Sequence, residues 1–217
     1  MKKLPYGFKQ KRKQKYPRNT LFSYVSPKKR HGISNSNKLM KANHNYSYKD
    51  FSYSESVNAN FHNGIFWGTK FKKSKYTQCN FSGAVFTAVT FENCTFKYSN
   101  FKGATFENCM FKNCKFKHTN FSYAKAKNTF SINSGKQTEI FTPFPADIPI
   151  DDLNNLKKVI PSSFSFNFKT EDLIRLRQVF SNEEILSGVN YIEHKKINVT
   201  DVSYLFKFIP MIIKYKK

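Results

Sequence analysis

The apolar positions of this chain keep a step of five. Phe61, Phe66, Phe71, Phe81, Phe86, Phe91, Phe96, Phe101, Phe106, Phe111, Phe116 and Phe121 hold one register, with Tyr76 as the single substitution between them. An α-helix repeats its buried stripe at about 3.6 residues and a strand at about 2, so neither element alone carries this pattern. Phe51 fits the register one frame further out, although Ser56 breaks the run, and Ala126 fits one frame later. The residue two before each centre is small: Ala59, Gly64, Thr69, Ser74, Cys79, Ala84, Val89, Cys94, Ser99, Ala104, Cys109, Cys114, Thr119 and Ala124. Bulky and small residues fixed two apart, with polar residues between, predict a narrow interior of alternating large and small side chains. The other three positions of each frame face water. Such self-similarity marks a solenoid, whose units bury their apolar face only by stacking.

A period of twenty lies over the period of five. Cys79–Tyr98 aligned with Ser99–His118 matches Asn80 to Asn100, Gly83 to Gly103, Ala84 to Ala104 and Cys94 to Cys114. Asn60, Asn80, Asn100 and Asn120 each precede a centre. Four frames per turn would stack these asparagines in a column, where side-chain amides bond along a ladder of about 4.8 Å. The frame small–Asn–Phe–x–x, as in "CNFSG", "SNFKG" and "TNFSY", resembles the pentapeptide-repeat family. The resemblance covers Phe51 to Ala126. It implies a mainly β fold, a right-handed quadrilateral β-helix of about four coils with four pentapeptides in each.

The rest of the chain divides around this segment. Residues 1–45 form a basic extension with "KQKRKQK" and "SPKKRHG". Its low hydrophobicity and high charge predict partial disorder, or a cap on the first coil, whose open edge needs covering. Residues 46–130 make the solenoid, and residues 131–149, with "TPFPADIP", a proline-containing joint. Residues 150–217 are expected to form a small α-helical module packed on the C-terminal coil. Asp151 to Val159 is helix-prone, and Thr170–Glu171–Asp172 starts a helix running to Phe180. Ser181–Asn182–Glu183–Glu184 has the S-x-x-E capping box, and a last helix from Val199 to Phe208 should break near Pro210. The family resemblance adds homodimerisation through these C-terminal helices.

Charge changes the picture most. The chain carries a formal net charge of +23, and its aromatic content is 24 Phe and 12 Tyr against one Trp. Met1 to Lys49 holds 14 Lys and Arg and no acid, and Asp50 to Lys127 holds 11 basic residues against four acids. The excess therefore sits in the first 127 residues and points to an anionic partner, nucleic acid or an acidic protein. The candidate contacts are Lys11, Arg12, Lys13, Lys15, Lys28, Lys29 and Arg30 in the extension, and Lys70, Lys72, Lys73, Lys75, Lys97, Lys115 and Lys117 on outward slots. Tyr98 and His118 join the side that carries Lys75, and Trp67 also takes an outward slot, where it either stacks on bases or packs against the N-terminal segment. Aromatic rings among lysines suit nucleic acid, since phosphates are neutralised and bases stack. No helix-turn-helix or zinc-finger pattern points to sequence-specific reading. No apolar run reaches the roughly 20 residues of a membrane span, and the Met1–Lys2–Lys3 start lacks a signal-peptide core. The expectation is a cytoplasmic protein without integral membrane association.

Candidate catalytic chemistry is thin. Cys79, Cys94, Cys109 and Cys114 all occupy the small inward slot and lack C-x₂₋₄-C spacing, so they are expected to fill space rather than bind zinc. His31, His44, His62, His118 and His194 form no motif, and "NSGK" near Lys136 lacks a phosphate-cradling frame. No catalytic, metal or cofactor residue is assigned, and the expected function is a non-enzymatic binding scaffold. The alternative is a protein–protein interaction module. The resemblance includes topoisomerase-binding members, whose acidic rods imitate duplex DNA. Here the regular coils carry only Glu92 and Glu107 as acids, a departure that argues against such mimicry. Attachment of the basic extension and "FKFIPMIIKYKK" to an anionic membrane surface is a third reading.

Overall fold

Each five-residue frame makes one side of a four-sided coil, and the corner explains the period. From Asn43 to Asn133 every fifth residue, two after each centre, has φ between 46° and 67°. This is the left-handed region, open to Gly and tolerated best by Asn among other residues. Asn or Gly fills more than half of these corners, including Asn58, Asn63, Gly68, Gly83, Asn93 and Asn108. A three-residue strand, a corner and a small inward residue add up to the observed step. The corner is thus more than a water-facing position, and its run of Asn and Gly is the sequence signal for it.

The computed structural model describes residues 42–134, 141–143, 155, 156, 158, 160, 168–199 and 201–215. Three sides of the coil stack into parallel sheets. The first, called the side face, pairs Ile65–Trp67, Val85–Thr87, Thr105–Glu107 and Lys125–Lys127. The second, the covered face, pairs Lys70–Lys72, Thr90–Glu92, Met110–Lys112, Phe130–Ile132 and Thr142–Pro143. The third, the bare face, pairs Glu55–Val57, Lys75–Thr77, Thr95–Lys97 and Lys115–Lys117. The fourth side is held by single bridges joining Asn60, Asn80, Asn100 and Asn120, the column expected from the period of twenty. Along that column only Asn80 Nδ2 donates to Asn60 Oδ1, at 3.4 Å. Each Asn Oδ1 instead accepts the backbone N–H two residues on, at His62, Ser82, Lys102 and Ser122. Turn closure within the coil takes precedence over amide laddering.

The centres form the core. Phe61, Phe81 and Phe101 stack nearly parallel at centroid separations of 4.6 and 4.7 Å, and Phe71, Phe91 and Phe111 at 4.8 and 4.4 Å. Neighbouring columns meet edge to face, as Phe91 does Phe96, a favoured aromatic geometry. Burying each ring contributes about 1.5–3 kcal/mol, so these columns dominate the solenoid. The two irregular centres complement each other. Ser56 pairs in register with Tyr76, whose hydroxyl meets Ser54 Oγ at 2.8 Å. At the far end Ser131 leaves a gap in the column, and Phe141 fills it by stacking 4.4 Å from Phe111. The ladder therefore runs past Ala126, through Phe130–Ile132 to Thr142–Pro143, where the sequence rhythm had stopped. Ser131 and Lys136 put polar residues on the next two centres, and Thr142 pairs with Phe130 after twelve residues rather than twenty, so the regular rhythm does not foretell this closure.

Three helices follow: α1 (Thr170–Arg177), α2 (Asn182–His194) and α3 (Ser203–Tyr215). Asn155, Leu156 and Lys158 of the helix-prone stretch are helical as well. Ser181 and Glu184 close the expected capping box, each side chain accepting the other residue's backbone N–H at 3.2 and 2.8 Å. The last helix differs from expectation at both ends. Asp201 Oδ1 accepts the Ser203 N–H at 2.9 Å and delays the start, and the helix continues through Pro210. An interior proline costs about 3 kcal/mol. Ile209 before it and Ile213 after it both pack into the helical core and hold the helix together.

The helices do not sit on the C-terminal coil. They lie along the covered face and its corner with the side face. Ala88 and Trp67 belong to the helical core. A Cβ on Gly68, which has φ +56°, would stand 2.7 Å from Ser203 Oγ, so the close approach of α3 requires glycine there. Buried Arg175 of α1 donates to Thr90 Oγ1 at 2.8 Å and to the Asn108 carbonyl at 2.6 Å. Arg175 also lies 3.8 Å from the Asp172 carboxylate. Burial disfavours both charges, pushing Asp172 up and Arg175 down from their ordinary values, and each opposes the other's shift. Packing on the flank follows from a corner column of small residues, Gly68 and Ala88, that the five-residue pattern did not distinguish from other corners.

Candidate functional site

A three-residue strand buries its middle residue and turns the two flanking ones outward. On the bare face this exposes Lys75, Lys97, Lys115 and Lys117. Parallel pairing then decides which charges are neighbours. Lys97 lies in register with Lys117, and Lys75 and Lys115 flank Thr95 from either side. Lys75 has Glu55 as its other ladder neighbour. Among the described residues, no carboxylate lies within ion-pair distance of Lys97, Lys115 or Lys117. Like charges directly across a ladder are destabilising, so this arrangement gains from a bound anion.

The other lysines of the solenoid show the contrast. Lys72 pairs with Glu92 at 3.2 Å and Lys127 with Glu107 at 3.7 Å, both in register. Lys70 pairs with Asp201 at 3.1 Å, and Lys112 pairs with Glu171 of α1. That contact holds the Glu171 carboxyl below its ordinary value, chiefly through the Lys112 hydrogen bond. Lys125, on the last strand of the side face, has no such partner among the described residues. Lys73, at the corner between the covered and bare faces, stands 6.0 Å from the Tyr53 ring. The predicted group is thus split. Lys75, Lys97, Lys115 and Lys117 come together, while Lys70 and Lys72 pair with acids on the covered face. Lys11, Arg12, Lys13, Lys15, Lys28, Lys29 and Arg30 lie outside the described residues.

Aromatic rings flank the lysines on one corner. Tyr98 and His118 stack at 5.0 Å with planes 14° apart, immediately after Lys97 and Lys117. Both are exposed, Tyr98 by 54%. Trp67 takes a different role. It packs against the helical core and lies 5.5 Å from Tyr48.

The inward cysteines are buried free thiols. Each donates to the carbonyl of a centre one coil back: Cys79 to Ser56, Cys94 to Phe71, Cys109 to Phe86 and Cys114 to Phe91, at 3.1–3.5 Å. Thr69, Ser74, Ser99, Thr119 and Ser134 do the same with hydroxyls. The small slot therefore selects a donor as well as a size, a preference visible in its run of Ser, Thr and Cys. Burial pushes the Cys79 and Cys109 thiols up to about 12, and raises Cys114 as well, where the thiol of Cys94 adds to the shift. Thiols in this state are poor nucleophiles and metal ligands. Among the described residues no three His, Cys, Asp or Glu side chains converge as a metal site. No helix there is long and apolar enough to cross a membrane.

Residues 57–125 match the family model described as Pentapeptide repeats (9 copies). Over this segment the chain is a pentapeptide-repeat β-solenoid. Similar solved structures include a pentapeptide repeat protein from the thylakoid lumen of Arabidopsis thaliana. It is 19% identical over 66% of this chain and 94% of that one, with a TM-score of 0.37. Full-length QnrB1, a plasmid-mediated fluoroquinolone resistance protein, is 15% identical over 42% of this chain and 58% of its own, with a TM-score of 0.30. Rfr23 from the cyanobacterium Cyanothece 51142 is 13% identical over 41% and 81%, with a TM-score of 0.20. No curated protein matches the chain.

Proposed function

We propose that this protein is a non-enzymatic, cytoplasmic binding scaffold whose bare face, with the basic extension of residues 1–45, holds nucleic acid by charge and without base-specific readout. One observation carries the proposal: Lys97 and Lys117 are ladder neighbours of like charge, while Lys72 and Lys127, on the ladders of the other two faces, each have an acid as the neighbour. Protection of sheet edges accounts for Lys115 and Lys117, which lie on the last strand of the bare face. It does not account for Lys97, which lies one strand inside. Binding of single- and double-stranded DNA and RNA across a salt series tests the reading. Affinity should be measurable at low salt, fall as salt rises, and weaken in Lys97→Ala/Lys117→Ala; absence of binding at low salt would reject it.

A second reading, protein–protein recognition with the charge incidental, has its own support. Ile65 and Val85 are ladder neighbours on the side face, 47% and 40% exposed, and Met211 of α3 is 43% exposed. It embraces a topoisomerase partner or self-association through the helices. Deleting residues 1–45 separates the two, since it should abolish polyanion binding and spare recognition by the helices. Light scattering at micromolar concentration tests the dimer, and a monomeric mass rejects it.

A further inference from the structure

Resting on the nucleic-acid reading, we propose that the bare face takes a single strand in preference to a duplex, with unpaired bases stacking on the Tyr98–His118 corner. Three features lead there. First, the corner is a ready ring stack. Its two planes are 14° apart, and beyond Tyr98 the next residue of the column is exposed Gln78 rather than another ring. Tyr98 stays 54% exposed, which leaves ring surface for a third flat group. Second, Lys97 and Lys117 directly precede the rings in the chain, so phosphate and base contacts fall side by side. Backbone-tracking lysines beside stacking aromatics are what sequence-tolerant single-strand binding requires.

The third feature is size. Three residues at about 3.3 Å make a side about 10 Å wide before side chains are added. The major groove of a duplex is about 12 Å wide and admits one helix or a two-stranded ribbon. A flat sheet of four strands does not enter it, so on a duplex the rings would meet sugar and phosphate. Base faces become available only when the strand is unpaired. An acidic polypeptide would satisfy the lysines and leave the rings without a partner.

The test uses the full chain and three fluorescent probes: a mixed-sequence single-stranded oligonucleotide, the duplex of the same sequence, and poly-glutamate. The ring variants are Tyr98→Asn and His118→Asn, singly and together. Asn occupies corners of the same backbone conformation at Asn58, Asn93 and Asn113, so these substitutions remove the rings without straining φ. The double variant should lose about 5- to 150-fold in affinity for the single strand, and change little for the duplex or poly-glutamate. Its salt slope should stay as in the parent, because no lysine is lost. An equal loss on single strand and duplex, or no parental preference for the single strand, overturns this inference while leaving charge-driven binding in place. Failure of the parent to bind either nucleic acid overturns the underlying reading as well.

Discussion

The covered and bare faces are neighbours on the same coils, with the same strand length and ring columns beneath, yet they are finished in opposite ways. On the covered face Met110 and Phe130 point outward and are 4% and 5% exposed, and Lys70, Lys72 and Lys112 all meet acids. On the bare face the outward lysines stay exposed, and two stand in register with each other. A solenoid backbone fixes its interior residue by residue but leaves each face to the outward slots, so adjacent faces take unrelated jobs. One face is a docking surface for the chain's own helices. The other is left charged.

The largest effect should come from the interior that both faces share. Phe101→Asp removes a ring whose loss alone costs about 3–5 kcal/mol and buries a carboxylate in its place. The expected outcome is loss of the β circular dichroism signal and of both faces together. A retained signal would show that Phe101 is not a core centre.

Next in size is a change confined to the covered face. Arg175→Ala leaves Asp172 buried without its cation and the Asn108 carbonyl without its donor, a loss of about 3–5 kcal/mol for a broken buried pair. Hydrogen exchange should rise across α1, α2 and α3 while the solenoid stays protected. Uniform loss of protection would mean that the two parts unfold as one.

A smaller effect tests the bare face. Lys97→Glu places an acid beside Lys117, and an opposite-charge pair across a ladder contributes about 0.2–1 kcal/mol. The variant should unfold at slightly higher denaturant concentration than the parent and bind polyanions more weakly. The corresponding change on the covered face, Lys72→Glu, places two acids side by side and should destabilise by a similar amount.

The smallest effect concerns pH. Glu171 has a depressed carboxyl in the folded state, so its contribution is present above the ordinary carboxylate range and is lost as pH falls through the folded value. Asp172 is raised and acts in the opposite sense, favouring the folded state at pH below the ordinary value and losing that advantage as pH rises through the folded one. On acidification of the parent the two effects therefore oppose each other. In Glu171→Gln the Asp172 effect remains alone, so mild acid should tighten docking, as read by hydrogen exchange. Weaker docking in mild acid would contradict these assignments.

The interior was legible in the sequence because a solenoid repeats its demands. Every centre from Phe61 to Phe121 faces the same kind of environment, and the register survives inspection by eye. What stayed illegible was whatever occurs once. Phe141 closes the last coil beyond two polar centres, Ser131 and Lys136, and Gly68 and Ala88 receive the helices at corners that resemble all other corners. Ion pairing was half legible. Neighbours one coil apart, such as Lys72 and Glu92, lie twenty residues apart and follow from the period. Lys70 with Asp201 and Lys112 with Glu171 needed the fold.

The central claim is that the unpaired lysines of the bare face are the ones that meet an anionic ligand. The slope of log affinity against log salt, measured with a single-stranded oligonucleotide, tests it most directly. Each phosphate contact contributes about 0.7 to that slope on a single strand. Lys97→Ala/Lys117→Ala should flatten the slope by about 1.4, whereas Lys72→Ala/Lys112→Ala on the covered face should leave it as in the parent. Equal flattening by both pairs, or none from the bare-face pair, would contradict the account.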